Sequence, residues 1–236
     1  MFNHNFSFYK FHGAGNDFIL SDIRNMTDSF FDTALIKKLC DRHLGIGADG
    51  IIFLANPNND SSIFSMIYYN YDGSRATMCG NGARCICAFA NFLNLIDVDK
   101  YFNFDADDGV HNAMILDRLE NKWDVEISIN VLSQITKIDE RSFFVDTGVP
   151  HLIKFVDNVD SLDVYNEGKI LRFSPDFGDA GVNVNFVELG EKIKIRTYER
   201  GVEGETLACG TGICAAAIVI NNFFNKAFPI NISALG

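Results

Sequence analysis

The chain has 236 residues, of which 47% are apolar, and it carries a formal net charge of −11 at pH 7 with a pI near 4.8. An acidic chain lacks the basic face that nucleic-acid binding requires, so small-molecule chemistry is favoured and no nucleic-acid partner is expected. Residues 1–10 show no basic flank followed by an apolar core, and no apolar run could cross a bilayer. A cytoplasmic protein with no membrane partner is therefore expected.

Two apolar runs near the amino end, residues 6–11 and 18–20, are predicted to be strands. The turn between them contains two glycines and can present Asn16 at its edge, although an asparagine in such a turn more often bonds its own backbone. A helix is predicted over residues 33–42, with Asp32 as its amino-terminal cap.

A glycine-rich stretch, residues 45–50, leads into a predicted buried strand over residues 51–54. It is not a phosphate-binding loop, because a strand follows it and no Gly-Lys-Ser/Thr sequence is present. The next predicted strand covers residues 63–69 and ends at Asn70. This strand precedes the first of two similar motifs.

The two motifs are Cys79-Gly-Asn-Gly82 and Cys209-Gly-Thr-Gly212. Each is followed by an apolar run that predicts a helix, over residues 83–94 and residues 213–225. A separation of about 130 residues is far longer than the repeats of solenoid proteins, so it indicates a duplicated domain.

The second half is predicted to be as rich in strands as the first. A strand covers residues 123–129, and a hairpin is expected within residues 182–198. His151 begins another strand, where a single histidine is more often a surface or capping residue than a catalyst. The prediction is an α+β fold with two domains, residues 1–118 and 119–236, each built around one central apolar helix.

The repeated motif suits an acidic ligand. Two glycines let the backbone approach a ligand closely at the start of a helix, where free amide N–H groups attract a carboxylate. The same field would increase the acidity of the thiols of Cys79 and Cys209. The alternative for any single cysteine is a small buried apolar residue, and that interpretation is kept for Cys40, Cys85, Cys87 and Cys214.

No metal is expected, because two cysteines two residues apart in a helix, such as Cys85 and Cys87, face different directions. If the two halves faced each other, one thiolate could remove a proton from one face of a carbon while a thiol protonated the other face. The expected outcome is inversion at the α-carbon of an amino acid without a cofactor.

The sequence resembles the diaminopimelate epimerases. The resemblance is carried by seven blocks in the order of that family: residues 11–18 (FHGAGNDF), 45–50 (GIGADG), 70–74 (NYDGS), 79–85 (CGNGARC), 182–183 (VN), 198–201 (YERG) and 204–212 (GETLACGTG). It implies interconversion of LL- and meso-2,6-diaminopimelate towards lysine and peptidoglycan, with no cofactor. It also implies two pseudo-symmetric halves, each a curved mixed or antiparallel sheet wrapped around its central helix, with the active site between them.

The resemblance further implies roles for individual residues. Cys79 and Cys209 match the acid/base pair, while His151 and Glu199 match residues that tune the pKa of the two thiols. The positions that match substrate-binding residues are Asn16, Asn70, Gly80, Asn81, Asn183, Glu199, Arg200, Gly210 and Thr211.

The chain departs from the family pattern in three places. Val149 stands where many members have an asparagine, and Gly50 where some have a ligand-binding glutamine. Residues 230–236 end the sequence where members continue through several more strands, which leaves closure of the second sheet and the contacts of a homodimer open.

Alternative functions would need different sets of these residues. A proline or hydroxyproline racemase of the same fold would not need Asn183 and Arg200, and a phenazine-type isomerase would not need both cysteines. A non-catalytic amino-acid-binding relative is the alternative of a different class. A secondary hypothesis is redox control, in which Cys79 and Cys209 would form a disulfide across a narrow cleft.

Overall fold

A computed structural model describes residues 7–26, 31–131 and 133–236, so Phe6 of the first predicted strand lies outside the described residues. The chain divides into two compact units, one ending at Ser128 and the other running from Ile129 to Gly236. Both consist of mixed sheets with few helices, which confirms the expected α+β class. No helix in the described residues is long and apolar enough to span a membrane.

The described part of the first unit contains an eight-stranded sheet and two α-helices. The strand order is β1-β2-β3-β4-β6-β7-β8, with β5 pairing to β4. The elements are β1 (Tyr9–Gly13), β2 (Asn16–Asp22), α1 (Thr33–Cys40), β3 (Gly50–Ala55), β4 (Ser65–Asn70), β5 (Arg75–Ala76), α2 (Gly80–Phe92), β6 (Tyr101–Ala106), β7 (Gly109–Leu119) and β8 (Lys122–Ile127).

The central strands β2 and β3 are parallel neighbours, and residues 18–20 and 51–54 are at most 1% exposed. Burial on both faces explains why these strands are continuous apolar runs rather than alternating ones. The helix α2 is buried along almost its whole length. At Gly82 an added Cβ would lie 2.8 Å from Ile52 Cδ1, so this glycine allows the start of α2 to pack closely against the sheet.

The described part of the second unit contains a seven-stranded sheet in the order β14-β13-β12-β11-β10-β9, with β15 pairing to β13. Its elements are β9 (Thr136–Lys137), β10 (Ser142–Asp146), β11 (Pro150–Val156), α3 (Val164–Arg172), β12 (Asn183–Glu188), β13 (Ile193–Glu199), β14 (Gly204–Thr206), α4 (Gly210–Phe224) and β15 (Ile232–Ser233), with a 3-10 turn at Pro175–Phe177.

The two sheets repeat one pattern of pairing. In the first unit the successive pairs β1–β2, β2–β3, β3–β4, β4–β5 and β4–β6 are antiparallel, parallel, antiparallel, antiparallel and parallel. The pairs β10–β11, β11–β12, β12–β13, β13–β14 and β13–β15 of the second unit follow the same series. Six strands of each unit therefore share one pairing pattern, and each unit has one helix that starts with the repeated motif.

The division between the units differs from the predicted boundary after residue 118. The strand predicted over residues 123–129 is observed as β8, but it pairs with β7 and so belongs to the first unit. A tight turn with Glu120 at a φ of 53° returns the chain directly onto β7. Alternating polarity predicted this strand without indicating its partner.

Both central helices begin earlier than predicted, at Gly80 and Gly210. The glycines and the polar residue of each motif therefore form the first helical turn, and the cysteine occupies the cap position. The predicted cap of α1 is confirmed, since Asp32 accepts a hydrogen bond of 2.7 Å from the Leu35 amide. The helix α3 was not predicted from the sequence.

Candidate functional site

Cys79 is half-buried at the amino-terminal cap of α2, with extended backbone angles of φ −144° and ψ 117°. The amide of Gly82 donates to its sulfur at 3.5 Å. The first turn of a helix offers amide donors and a partial positive charge. The thiol of Cys79 is therefore held where a negatively charged group is stabilised.

A polar network fixes the asparagine beside this thiol. Asn16 Nδ2 donates to Asp49 Oδ2 at 2.8 Å, and Asp49 in turn accepts from Arg42 at 2.6 Å. Because a carboxylate only accepts, the amide nitrogen of Asn16 must face Asp49. Its oxygen then faces Cys79 Sγ at 3.7 Å and Asn81 Nδ2 at 3.5 Å. The sequence does not indicate this role for Asp49, which stands in the glycine-rich stretch of residues 45–50.

Asn70 lies at the end of β4, opposite Gly50 on β3. The Tyr68 hydroxyl donates to Asn70 Oδ1 at 2.7 Å, and Asn70 Nδ2 donates to Ser74 Oγ at 3.1 Å. A Cβ on Gly50 would lie 2.7 Å from Cε2 of Tyr68. The tyrosine ring therefore occupies the space that a side chain at position 50 would need.

Cys209 occupies the equivalent cap position of α4 and is 6% exposed. Its sulfur lies 3.5 Å from Oγ1 of Thr211, in the first turn of the helix. The buried hydroxyl of Thr147 donates to the Thr211 carbonyl at 3.2 Å and holds this turn in place. The motif thus brings a thiol and a hydroxyl together in a buried setting.

His151 is completely buried, so its interpretation as a surface residue is wrong. Its Nε2 lies 2.9 Å from Thr211 Oγ1, and its Nδ1 lies 3.0 Å from Asn185 Nδ2. Burial lowers the pKa of His151 to about 3, and the positive charge of Arg200 acts in the same direction. The imidazole is therefore neutral near pH 7. Sequence reasoning missed Asn185, because only the register of β11 and β12 places it beside the histidine.

The remaining predicted residues of the second unit lie around the same end of its sheet. Asn183 pairs with His151 across β11 and β12, and its Oδ1 accepts the Arg200 amide at 2.8 Å. Burial lowers the pKa of Arg200, with the charge of Arg172 acting in the same direction. Glu199 is half-buried at the end of β13, opposite Gly204.

The other cysteines fit the structural interpretation to different degrees. Cys40, Cys85 and Cys87 are buried, whereas Cys214 is half-buried. Burial raises the pKa of the Cys40 thiol to about 11 and that of Cys85 to about 12. Among the described residues, no group of three or more His, Cys, Asp or Glu side chains is arranged to hold a metal ion.

The model of the family described as diaminopimelate epimerase matches residues 8–126 and 143–234. A diaminopimelate epimerase of Flavobacterium psychrophilum is 48% identical over 215 residues, which cover 90% of this chain and 80% of that protein. A diaminopimelate epimerase of Chlorobaculum tepidum is 39% identical over 213 residues, covering 88% of this chain and 80% of that protein.

Two solved structures share the fold at low identity. A hydroxyproline epimerase from Agrobacterium vitis has a TM-score of 0.70 at 12% identity, covering 95% of this chain and 78% of that one. A probable proline racemase from Agrobacterium radiobacter has a TM-score of 0.69 at 13% identity, covering 94% and 78%. These two similarities concern the fold, whereas the family match and the closer relatives establish descent: the chain belongs to the diaminopimelate epimerase family.

Proposed function

We propose that this protein interconverts LL- and meso-2,6-diaminopimelate by proton transfer at one α-carbon between Cys79 and Cys209. Membership in the family makes the chain an isomerase of the epimerase type. The observation that carries the mechanism is the repetition of one local arrangement. In each unit a cysteine caps the central helix, and its sulfur lies beside the amide or hydroxyl groups of the first turn.

In the proposed reaction, one cysteine starts as a thiolate and the other as a thiol. The thiolate takes the α-proton, and the electron pair left on carbon is delocalised into the substrate carboxylate. The thiol then delivers its proton to the opposite face, so the two sulfurs exchange protonation states and the centre is inverted. The reaction is balanced in protons and electrons without a cofactor.

The substrate carboxylate would bind at the starts of α2 and α4. Amide N–H groups there stabilise the negative charge that develops on the carboxylate in the transition state. We assign this role to Gly80, Asn81, Gly210 and Thr211. The support is their position in the first turn of each helix, directly after the two cysteines.

The other predicted contacts would hold the end of the substrate that does not react. Asn16, Asn70, Asn183 and Arg200 supply amide and guanidinium groups for its carboxylate and amino group. Asn70 and Asn183 are each held by hydrogen bonds to protein groups, so their orientation is fixed before a ligand arrives. Glu199 would face an amino group and tune one thiol, and His151 would tune the thiol of Cys209.

A non-catalytic amino-acid-binding protein and a proline or hydroxyproline racemase are the alternatives. The racemase is supported only by structures of low identity, and the half-buried Arg200 and the buried Asn183 suit a longer substrate with a second charged end. A cytoplasmic location, a homodimer and the lack of nucleic-acid partners stay predictions, as does redox control through the two active cysteines.

The test is whether the purified protein converts LL-diaminopimelate to the meso form. Chiral chromatography of the reaction mixture measures the two isomers. We expect turnover by the wild type and a loss of at least about 100-fold in Cys79→Ala and Cys209→Ala, since each removes one acid/base group. Cys214→Ala is the matched control, because this cysteine lies inside α4 away from the cap. Wild-type turnover of hydroxyproline but not of diaminopimelate would support the racemase instead.

A further inference from the structure

A chain of four buried side chains leads from the middle of the second sheet to the sulfur of Cys209. Thr197 Oγ1 donates to Asn185 Oδ1 at 2.9 Å, and the Asn185 amide reaches His151 Nδ1 at 3.0 Å. His151 Nε2 then lies 2.9 Å from Thr211 Oγ1, which lies 3.5 Å from the Cys209 sulfur. These four side chains are each at most 4% exposed.

The direction of the Asn185 amide is determined by its neighbours. Its Nδ2 lies 3.2 Å from the carbonyl oxygen of Leu152, which can only accept a hydrogen bond. The atom facing Leu152 must therefore be the nitrogen. The Thr197 hydroxyl on the opposite side of the amide fits the oxygen as an acceptor. The second hydrogen of Nδ2 goes to His151 Nδ1 at 3.0 Å, because the other acceptor near Nδ2, the carbonyl oxygen of Asn183, is farther away at 3.4 Å.

The orientation of the Asn185 amide determines which atom donates in each of the next hydrogen bonds. A neutral imidazole has one donor and one acceptor nitrogen, and Nδ1 must accept because it faces an amide donor. The proton of His151 therefore resides on Nε2, which donates to Thr211 Oγ1. With its oxygen already accepting from His151, the Thr211 hydroxyl can donate its own proton to Cys209.

We propose that Asn185 is a positioning residue that fixes the proton of His151 on Nε2, so that the Thr211 hydroxyl donates to Cys209 and stabilises its thiolate. The role of Cys209 as an acid/base group rests on the proposed function, but the donor–acceptor order of these hydrogen bonds does not. A hydrogen bond to a charged acceptor is stronger than one to a neutral acceptor, so this donor favours the ionised sulfur.

Gly212 has a place in the same arrangement. A Cβ at this position would lie 2.2 Å from Asn185 Oδ1 and 3.3 Å from His151 Cε1. The second glycine of the motif therefore leaves room for the Asn185 amide against the first turn of α4. This gives a packing reason for a residue that the sequence suggested only as a point of ligand approach.

Two measurements on the substrate-free protein test the proposal without using turnover. Nitrogen-15 spectra of histidine-labelled protein report which ring nitrogen carries the proton, and His151→Gln identifies the His151 signals. We expect a protonated Nε2 and an unprotonated Nδ1 in the wild type. A proton on Nδ1 would overturn the proposal, whether or not the protein is an active epimerase.

The second measurement is the pH profile of Cys209 alkylation by iodoacetamide, read by peptide mass spectrometry. Thr211→Val should move the profile up by about one pH unit, as loss of one hydrogen bond to a charged group predicts, and Thr211→Ser should restore it. Asn185→Ala, or the milder Thr197→Val, should move it in the same direction and remove the single Nε2-protonated signal.

Asn91→Ala is the matched control, because Asn91 is a buried, hydrogen-bonded asparagine of the first unit. It should leave both the His151 spectrum and the Cys209 profile unchanged. An unchanged Cys209 profile in Thr211→Val would overturn the link from the hydroxyl to the sulfur.

Discussion

His151→Gln should change how the stability of the protein depends on pH. In the folded chain burial lowers the pKa of His151 to about 3, against an ordinary value of 6.5 in the unfolded chain. Between these values the unfolded state binds a proton that the folded state does not. Stability therefore rises with pH across this window and is lost as the pH falls.

The size of the effect follows from the same two values. pH 5 is about 1.5 units below the unfolded pKa, and each unit is worth about 1.4 kcal/mol. Protonation of His151 in the unfolded state should therefore lower the unfolding free energy of the wild type by about 2 kcal/mol. His151→Gln lacks the titrating group, so its unfolding free energy should fall by about 2 kcal/mol less than that of the wild type between pH 7.5 and pH 5. Hydrogen bonds that glutamine fails to replace affect both pH values alike and cancel in the difference.

The assay is urea unfolding followed by circular dichroism at pH 7.5 and pH 5, for the wild type, His151→Gln and the control His12→Gln. His12 is exposed, so His12→Gln controls for the removal of a histidine that is not buried. Equal losses of unfolding free energy in the wild type and His151→Gln would refute the conclusion that this histidine is buried in its neutral form.

Three other predictions follow from particular contacts. Gly212→Ala should destabilise the protein by about 1–3 kcal/mol in urea unfolding, because the new methyl group overlaps Asn185, whereas Gly204→Ala meets no atom within 4 Å and should be nearly neutral. Asp49→Ala should lower kcat about tenfold or more by releasing the Asn16 amide beside Cys79, and an unchanged kcat would contradict this. For His111, burial lowers the pKa but the hydrogen bond and charge of Asp108 outweigh it, so the net shift is upward. The stabilisation by His111 is complete below the unfolded pKa and is lost as the pH rises through the folded pKa. His111→Gln should therefore reduce the decline of the unfolding free energy towards high pH. Unfolding is followed by the fluorescence of the single tryptophan, which lies in the first unit.

The sequence predicted those features that arise from local patterns. Continuous apolar runs identified β2 and β3, and the spacing of glycine, polar residue and glycine after a cysteine located the starts of α2 and α4 to within three residues. The predicted hairpin within residues 182–198 is observed as the antiparallel pair β12 and β13. These features depend on residues close together in the chain.

Features that depend on distant pairing were not accessible in this way. The alternation of residues 123–129 showed a strand but could not show that β7, rather than the second sheet, is its partner. His151 looked like a surface residue because its hydrogen-bonding partners come from β12 and α4, at positions 185 and 211. A buried polar side chain is recognised only when the groups that satisfy it are known.

The most direct test of the two-cysteine mechanism is the fate of the α-proton during conversion of LL-diaminopimelate in deuterated water. If one sulfur removes the proton and the other, already exchanged with solvent, protonates the opposite face, meso product formed early should carry deuterium at the inverted centre while unreacted substrate keeps its proton. Product that retains the proton of the substrate would show that a single group both removes and returns it, and would contradict the account.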